Sequence, residues 1–310
     1  MNEKQVVINN NAKGSMLFTR QVLKGLGQIM LQENLWTGLL FLLGITYGSP
    51  IMGIAALLAT CCGTITARIL KFDNAELNKG IYGFSAALTG VASMLFFKPT
   101  LIIWLFVVIG SSVATILQYY FIKFRLPVFT LPFVLVTWLF LFIIGNYFPN
   151  FLFIPEVLEV THQNQFDFAI KGYGQVIFQG KLLSGILFFV AVFICSPIAA
   201  LYGLAGGVLS GILSQYLEVP VESISNGLFS FNAVLCAITF AGERVKDGLW
   251  VLVSILISLV VSFTFVQLEL PQLTFPFVAA SFLVVFMKQS LTAQRLKKLL
   301  TNSTKSISKL

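Results

Sequence analysis

The sequence predicts an all-α integral membrane protein, with two inverted repeats of about five transmembrane elements each and broken or re-entrant helices around a central pore. Three observations lead to this fold class. The 310 residues are 57% hydrophobic and 10% charged, whereas soluble domains carry about 25% charged residues. The two halves share motifs at constant spacing. Each half also carries a pair of prolines within apolar sequence, and prolines interrupt the helical hydrogen bonds there.

The charge of +8 is concentrated at the two ends of the chain. Residues 1–20 are predicted to be a loosely ordered N-terminal tail without a signal peptide, and residues 289–310 a basic C-terminal tail. Basic flanks of this kind are typical of the cytoplasmic side of a membrane, and nucleic-acid binding is a poor second interpretation. The basic residues in question are Lys4, Lys13, Arg20 and Lys24 at one end, and Lys288, Arg295, Lys297, Lys298, Lys305 and Lys309 at the other.

Apolar runs define the predicted repeats. The first repeat, 21–148, contains runs near 35–47, 51–70, 81–97, 101–122 and 128–148. The second repeat, 172–288, contains runs near 182–195, 198–217, 228–241, 249–266 and 273–287. Several runs fall short of the roughly 20 residues that cross the hydrocarbon core. The elements with the paired prolines and the glycine-rich start of each half are therefore predicted to be broken or re-entrant.

The repeat is visible in three pairs of motifs. GLGQIMLQ at 25–32 matches GYGQVIFQ at 172–179, and GIYGFSAAL at 80–88 matches GLFSFNAVL at 227–235 without a gap between the two matches. LPVFTLPF at 126–133 matches LPQLTFPF at 270–277. A break repeated in both halves of a membrane protein indicates a binding site near the midplane.

An odd number of spans in each half requires that the second copy is inverted. Loop charge agrees, because the connector at 68–79 carries three basic residues whereas its counterpart at 217–226 carries Glu218 and Glu222. The richer basic loops are expected in the cytoplasm, together with both termini. The linker over 149–171, which contains the single histidine His162, is then expected outside the cell membrane.

The apolar runs contain no Asp, Glu, Lys, Arg or His well inside them, with Arg68 near an end. Coupled carriers use such groups to hold ions or relay protons, so this composition disfavours coupling and charged substrates. Backbone carbonyls could still bind a cation, so an ion-coupled carrier stays an alternative. No nucleophile–base pair or metal-ligand spacing is visible, and the four cysteines lie in apolar runs; we therefore expect no enzyme, cofactor or metal.

Neutral residues paired by the repeat are the candidate site. They are Gln28 with Gln175, Gln32 with Gln179, Thr130 with Thr274, Phe84 with Phe231, and Leu31 with Phe178. Amide and hydroxyl oxygens accept hydrogen bonds from the N–H groups of a planar amide, whose faces can stack between aromatic rings. A single glutamine more often links helices, and a single phenylalanine more often packs; the pairing across an inverted repeat favours the functional interpretation.

These doubled motifs resemble those of the urea transporter family, over roughly residues 20–288. The resemblance implies passive, channel-like urea permeation through each protomer of a homotrimer embedded in lipid. It implies that Gln28 and Gln175 bind the amide and that Phe84 and Phe231 form slot walls. Thr130 and Thr274 would face each other at a constriction that Leu88 and Leu235 narrow.

The sequence departs from the family pattern at two positions. Leu31 stands where an aromatic residue is common, and Ser85 stands where Asn is common, whereas Asn232 keeps the amide. We therefore expect one slot to be looser on one wall and leave selectivity among urea analogues open. A pore for ammonia, water or short amides is the alternative to a urea pore.

Overall fold

A computed structural model describes the backbone of residues 3–127, 129–153 and 167–307, and the side chains of residues 14–127, 129–153 and 167–293. The described backbone is helical apart from its connections and one isolated antiparallel bridge between Phe97 and Leu152. The helices are α1 Glu3–Gly27, α2 Leu35–Gly48, α3 Pro50–Ile69, α4 Asn74–Asn78, α5 Phe84–Phe96, α6 Leu101–Lys123, α7 Leu131–Tyr147, α8 Asp167–Gln175, α9 Leu182–Cys195, α10 Pro197–Ser214, α11 Val221–Ser225, α12 Phe231–Phe240, α13 Val245–Gln267 and α14 Phe275–Ile307.

Five of the described helices are long and apolar enough to cross a membrane, namely α3, α6, α10, α13 and the segment Phe275–Ala293 of α14. A sixth candidate is the pair Gly14–Met30 and Leu35–Gly48, which is bent by 75°. Four shorter apolar helices, α5, α7, α9 and α12, lie among them. The predicted all-α membrane fold is confirmed. The inversion of the repeats and the central pore stay predictions.

The glycine-rich start of each half contains a break in the helix. A 3₁₀ turn over Gln28–Met30 follows α1 and ends at Leu31, where φ is 59°. The equivalent Phe178 follows α8 with a φ of 57°. A left-handed conformation costs a residue with a side chain about 1–2 kcal/mol, and such strain concentrates at functional sites. The break thus recurs with the same geometry in both halves.

Two glutamines cover carbonyl groups at these breaks. Gln32 Nε2 donates to the carbonyl of Met30 at 2.8 Å, and Gln179 Nε2 donates to the carbonyl of Ile177 at 3.0 Å. A carbonyl left without a partner in an apolar setting is costly, so these short side-chain bonds allow the helices to break at this depth. Gln32 and Gln179 therefore have a structural role in each half.

The prolines shape the start of α7 and α14. Each helix begins after a left-handed residue, Phe129 with φ 44° and Leu273 with φ 46°. Pro132 lies in the first turn of α7, where a missing N–H costs little because that group has no partner within the helix. The predicted runs 128–148 and 273–287 are therefore helical only from Leu131 and Phe275 onward.

The two halves meet at α2 and α9 through reciprocal contacts. Thr37 Oγ1 donates to the carbonyl of Ala191, and Ser184 Oγ donates to the carbonyl of Gly44, both at 2.8 Å. Residues 37 and 184, and residues 44 and 191, are equivalent in the repeat. Phe41 and Phe188, also equivalent, pack edge to face with ring centroids 5.2 Å apart. Contacts that exchange residues in this way are the signature of a twofold arrangement.

A close backbone approach explains the matched glycines of these helices. A Cβ atom on Gly38 would overlap the carbonyl oxygen of Leu23, and a Cβ atom on Gly185 would overlap that of Ile170. Residues 23 and 170 are again equivalent. Glycine at 38 and 185 thus lets α2 and α9 pack directly against the helix that precedes each of them.

Some predicted boundaries differ from the structure. Helix α1 begins at Glu3, inside the tail predicted at 1–20; the segment has no proline, and one glycine inside a helix costs only about 1 kcal/mol. Helix α8 begins at Asp167, inside the predicted linker, and α14 continues to Ile307, inside the predicted C-terminal tail. Most of the linker, including His162, lies outside the described residues. The domain division itself stays a prediction.

Candidate functional site

A first cavity of about 240 Å³ lies beside the break after α1. We call it the Gln28 cavity. Its wall combines polar groups with aliphatic and aromatic side chains from both halves of the chain. The lining residues are Gln28, Ile29, Leu31, Glu76, Ile81, Phe84, Gln118, Ile122, Phe129, Thr130 and Phe277.

A second cavity of about 300 Å³ lies beside the equivalent break after α8. We call it the Gln175 cavity. Three of its lining residues, Gln175, Phe178 and Phe231, are the repeat equivalents of Gln28, Leu31 and Phe84. The complete lining is Leu95, Phe96, Gln175, Phe178, Leu228, Phe231, Pro271, Gln272 and Leu273.

Each cavity contains a glutamine that is oriented by its own backbone partner. Gln28 Nε2 donates to the carbonyl of Lys79 at 3.0 Å, and Gln175 Nε2 donates to the carbonyl of Asn226 at 3.0 Å. The two acceptors are repeat equivalents. Because each amide nitrogen is held on a carbonyl, each amide oxygen remains as an acceptor for another group.

A pair of threonine hydroxyls lies between the starts of α7 and α14. Thr130 Oγ1 and Thr274 Oγ1 are 2.6 Å apart and share one hydrogen bond. Both residues are buried. Thr130 precedes α7 without capping it through its side chain, so its hydroxyl is committed to the partner threonine and not to its own helix.

Aromatic rings from different elements form the walls of both cavities. In the Gln28 cavity, Phe129 packs edge to face on Phe277, with ring centroids 5.2 Å apart. In the other cavity, Phe178 packs against Phe96 at 6.4 Å and against Phe133 at 6.1 Å. These rings offer polarisable, apolar surfaces to a flat molecule.

The charged residue that lines the Gln28 cavity, Glu76, forms a salt bridge. Lys79 Nζ lies 3.1 Å from Glu76 Oε1. A second pair, Lys24 and Glu33 at 2.7 Å, does not belong to the lining. The hydrogen bond that Lys79 Nζ donates to the Glu76 carboxylate raises the pKa of Lys79, which favours its ammonium form. Within the described residues, no group of three or more His, Cys, Asp or Glu side chains could hold a metal ion.

The structure divides the predicted site residues into three groups. The Gln28 cavity contains Gln28, Leu31, Phe84 and Thr130, whereas the Gln175 cavity contains Gln175, Phe178 and Phe231. The remaining three, Leu88, Leu235 and Thr274, are fully buried and line neither cavity. The two cavities share no lining residue, and the bonded pair of Thr130 and Thr274 connects the wall of the first to the start of α14.

Sequence pairing missed several lining residues. Gln118 and Phe129 line the Gln28 cavity, and Gln272 lines the Gln175 cavity. Gln118 is an amide within the predicted run 101–122, which is a visible signal in an apolar segment. Pairing across the repeat does not indicate it, because its repeat equivalent, Ser262, is a different residue type.

Comparisons with known proteins agree with the motifs. The family model described as "UT: Urea transporter" matches residues 19–289. The chain is 29% identical over 242 residues to urea transporter 1 of Rattus norvegicus, covering 73% of this chain and 63% of that protein. It is 28% identical over 246 residues to urea transporter 1 of Mus musculus, with the same two shares. The chain thus spans less than two thirds of the length of these relatives.

Proposed function

Because the chain belongs to the urea transporter family, we propose that it is a passive channel through which urea crosses the cell membrane. The proposed path runs from the Gln28 cavity, past Thr130 and Thr274, into the Gln175 cavity. No covalent step and no cofactor are part of the proposal. Membership in a family of transporters also favours permeation over catalysis. The chain is a multi-pass membrane protein, as its apolar helices and its family indicate.

The observation that carries the proposal is the bonded pair of threonines, of which Thr130 lines the Gln28 cavity and Thr274 follows Leu273 of the Gln175 cavity. Thr130 and Thr274 hold each other's hydroxyl at 2.6 Å in a buried position. Gln28 and Gln175 offer one oriented amide oxygen on either side. A neutral molecule with several N–H groups can exchange water for these oxygens in turn, so that no step leaves its donors without partners.

The walls of this path suit a flat, uncharged permeant. Phe84 and Phe231, buried in equivalent positions, contribute to the two cavities. An amide can place its face against such rings while its edge contacts the glutamine and threonine oxygens. A hydrated ion would lose its water without gaining a free charged ligand, because Glu76, the charged residue in the lining of the Gln28 cavity, is already paired with Lys79. Leu88 and Leu235 limit the width of the passage in this proposal.

The proposal extends to the assembly and its orientation. We place both termini in the cytoplasm, and we treat the second half as an inverted copy of the first. The reciprocal contacts of α2 and α9 support a twofold relation, and an axis in the membrane plane would bring the two breaks to a shared site. We also propose a homotrimer, which could use the exposed apolar surface of α6 and α13 for subunit or lipid contacts.

Solute flux into liposomes tests the proposal. The purified protein is reconstituted, and stopped-flow light scattering measures the entry of urea, ammonia and water, with empty liposomes as the baseline. We expect accelerated urea entry that is unchanged by an imposed proton or sodium gradient, because Glu76, the carboxylate among the lining residues of the two cavities, is held in a salt bridge by Lys79. Accumulation of urea above equilibrium in a gradient would establish an ion-coupled carrier. Accelerated ammonia or water entry without urea entry would establish a different pore.

A further inference from the structure

Gln118 presents an amide to the Gln28 cavity. It lies on α6, is 3% exposed and belongs to the cavity wall. Ser85 on α5 donates its hydroxyl hydrogen to Gln118 Oε1 at 3.0 Å, which fixes the amide oxygen against the protein. Among the described residues no hydrogen bond uses Gln118 Nε2. Nor is this nitrogen one of the enclosed polar atoms in that part of the chain, so it is accessible from the cavity.

The equivalent position in the second half is built differently. Residue 262, the counterpart of Gln118, is a serine whose hydroxyl is enclosed without a partner among the described residues. Residue 232, the counterpart of Ser85, is an asparagine whose amide is occupied by the backbone. Asn232 Oδ1 accepts from the N–H of Phe277 at 3.2 Å, and Asn232 Nδ2 donates to the carbonyl of Leu273 at 3.4 Å. The long and short polar side chains have exchanged places between the halves.

The other amides that line the two cavities have their nitrogens bound to the backbone. Gln28 and Gln175 use Nε2 on the carbonyls of Lys79 and Asn226. Gln272 donates Nε2 to the carbonyl of Leu228 at 3.1 Å, and its Oε1 is enclosed without a partner in the described chain. Gln28 and Gln175 therefore each have an amide oxygen left for another group, and Gln118 is the lining amide with the opposite orientation.

We propose that Gln118 is a further permeant-binding residue, whose Nε2 donates a hydrogen bond to the carbonyl oxygen of urea in the Gln28 cavity. The inference rests on the proposed function and deepens it. The Gln28 cavity then binds urea at both ends, with Gln28 Oε1 accepting from an N–H group and Gln118 donating to the oxygen. The Gln175 cavity lacks the second interaction, so the two cavities differ in affinity and in their requirement for a carbonyl acceptor.

Urea and thiourea distinguish a donor from a structural residue. The sulfur of thiourea is a much weaker acceptor than the oxygen of urea, whereas the N–H groups are similar. One net hydrogen bond corresponds to a change of about two- to tenfold in an equilibrium or rate constant. Loss of the Gln118 donor should therefore weaken urea binding by that factor and leave thiourea binding within about twofold.

Gln118→Met and the double variant Ser85→Ala with Gln118→Met are the test proteins. Methionine keeps the length of the side chain without an N–H donor, and the double variant avoids a buried serine hydroxyl without its partner. Ser262→Ala, at the equivalent position, is the matched control, because it removes a hydroxyl and keeps both the Gln118 amide and the serine that orients it. Liposome flux gives the urea concentration at half-saturation and the inhibition constant of thiourea as a competitor.

The expected result is a rise of about two- to tenfold in the half-saturating urea concentration for both Gln118 variants, with an unchanged thiourea inhibition constant and unchanged values for Ser262→Ala. An unchanged urea value would overturn the role of Gln118. Equal shifts for urea and thiourea would also overturn it, because they indicate a structural effect. Failure of the wild-type protein to conduct urea would instead reject the proposed function, so the two failures are distinguishable.

Discussion

The Gln28 cavity and the Gln175 cavity lie at equivalent backbone elements but are lined by different side chains. Both lie beside a broken helix that ends in a left-handed residue, and both hold a glutamine whose nitrogen is bound to an equivalent carbonyl. The first combines Leu31 with Phe129, whereas the second combines Phe178 with Leu273. In each cavity one of these two positions is therefore aromatic and the other aliphatic. The aromatic residue comes from the segment before α7 in the first cavity and from the break after α8 in the second.

A repeat can preserve the composition of a site while residue types move between positions. From the sequence, Leu31 predicts a looser wall, because its counterpart Phe178 is aromatic. Phe129 supplies a ring to the same cavity from the segment before α7. The pair Ser85 and Gln118 shows the same exchange against Asn232 and Ser262. Equivalent positions are thus less constrained than the cavities that they form.

The largest expected effect concerns the orientation of the two halves. Ile69 and Tyr216 are repeat equivalents at the ends of α3 and α10, and they are 72% and 83% exposed. In a variant without the four native cysteines, Tyr216→Cys should react with an impermeant thiol reagent on intact cells. Ile69→Cys should react only after permeabilisation. Labelling of both from the same side would contradict the inverted arrangement.

The next largest effect concerns the threonine pair, where the halves are identical. Replacing Thr130 and Thr274 by valine keeps their shape and removes both hydroxyls, so a dehydrated urea loses two partners. An uncompensated polar group costs about 1–3 kcal/mol, and urea flux in liposomes should fall about five- to hundredfold. Thr→Ser at both positions is the matched control and should retain most of the flux. Near-normal flux in a folded valine variant would remove the hydroxyls from the path.

A smaller effect is expected at the two glutamines. Gln28→Leu and Gln175→Leu each remove one oriented acceptor, worth about 0.5–1.5 kcal/mol as a net hydrogen bond. Each should slow urea flux about two- to tenfold, since the path passes both cavities in series. Gln215→Leu, an exposed glutamine outside the cavities, should have no effect. If only one of the two cavity variants slows flux, the path uses one cavity and not both.

The smallest effect concerns the aromatic and aliphatic residues that change places between the two cavities. Phe129→Leu removes from the Gln28 cavity the ring that packs on Phe277. The flux of N-methylurea relative to that of urea should then rise about two- to threefold. Adding Leu31→Phe restores an aromatic wall and should return the ratio to the wild-type value. Phe124→Leu, at an exposed position, controls for the loss of a phenylalanine elsewhere. A double variant that stays as permissive as Phe129→Leu would contradict the exchange.

Motifs and apolar runs predict most of the architecture, because spans and breaks leave strong local signals. The paired prolines and the GxGQ motifs mark the starts of α7 and α14 and the breaks after α1 and α8. The ends of helices are harder to locate. Helix α1 begins at Glu3, inside the tail predicted at 1–20, because that segment contains no proline to interrupt it. Spacing alone does not indicate where a broken helix resumes.

Only part of the candidate site can be predicted from the sequence. Pairing finds side chains that both halves retain, such as Gln28 and Gln175. It misses Gln118 and Phe129, because their counterparts are Ser262 and Leu273. Their position depends on tertiary packing of α6 and of the segment before α7, which no local pattern encodes. Asymmetric residues in a repeat protein therefore have to be found from the cavities themselves.

The location of a bound urea analogue decides whether one path joins the two cavities. Selenourea has the shape of urea, and its selenium can be located by anomalous scattering in crystals of the protein. We expect one selenium position in the Gln28 cavity and one in the Gln175 cavity, on either side of Thr130 and Thr274. Selenium found only outside both cavities, for example at a contact between subunits, would contradict the proposed path.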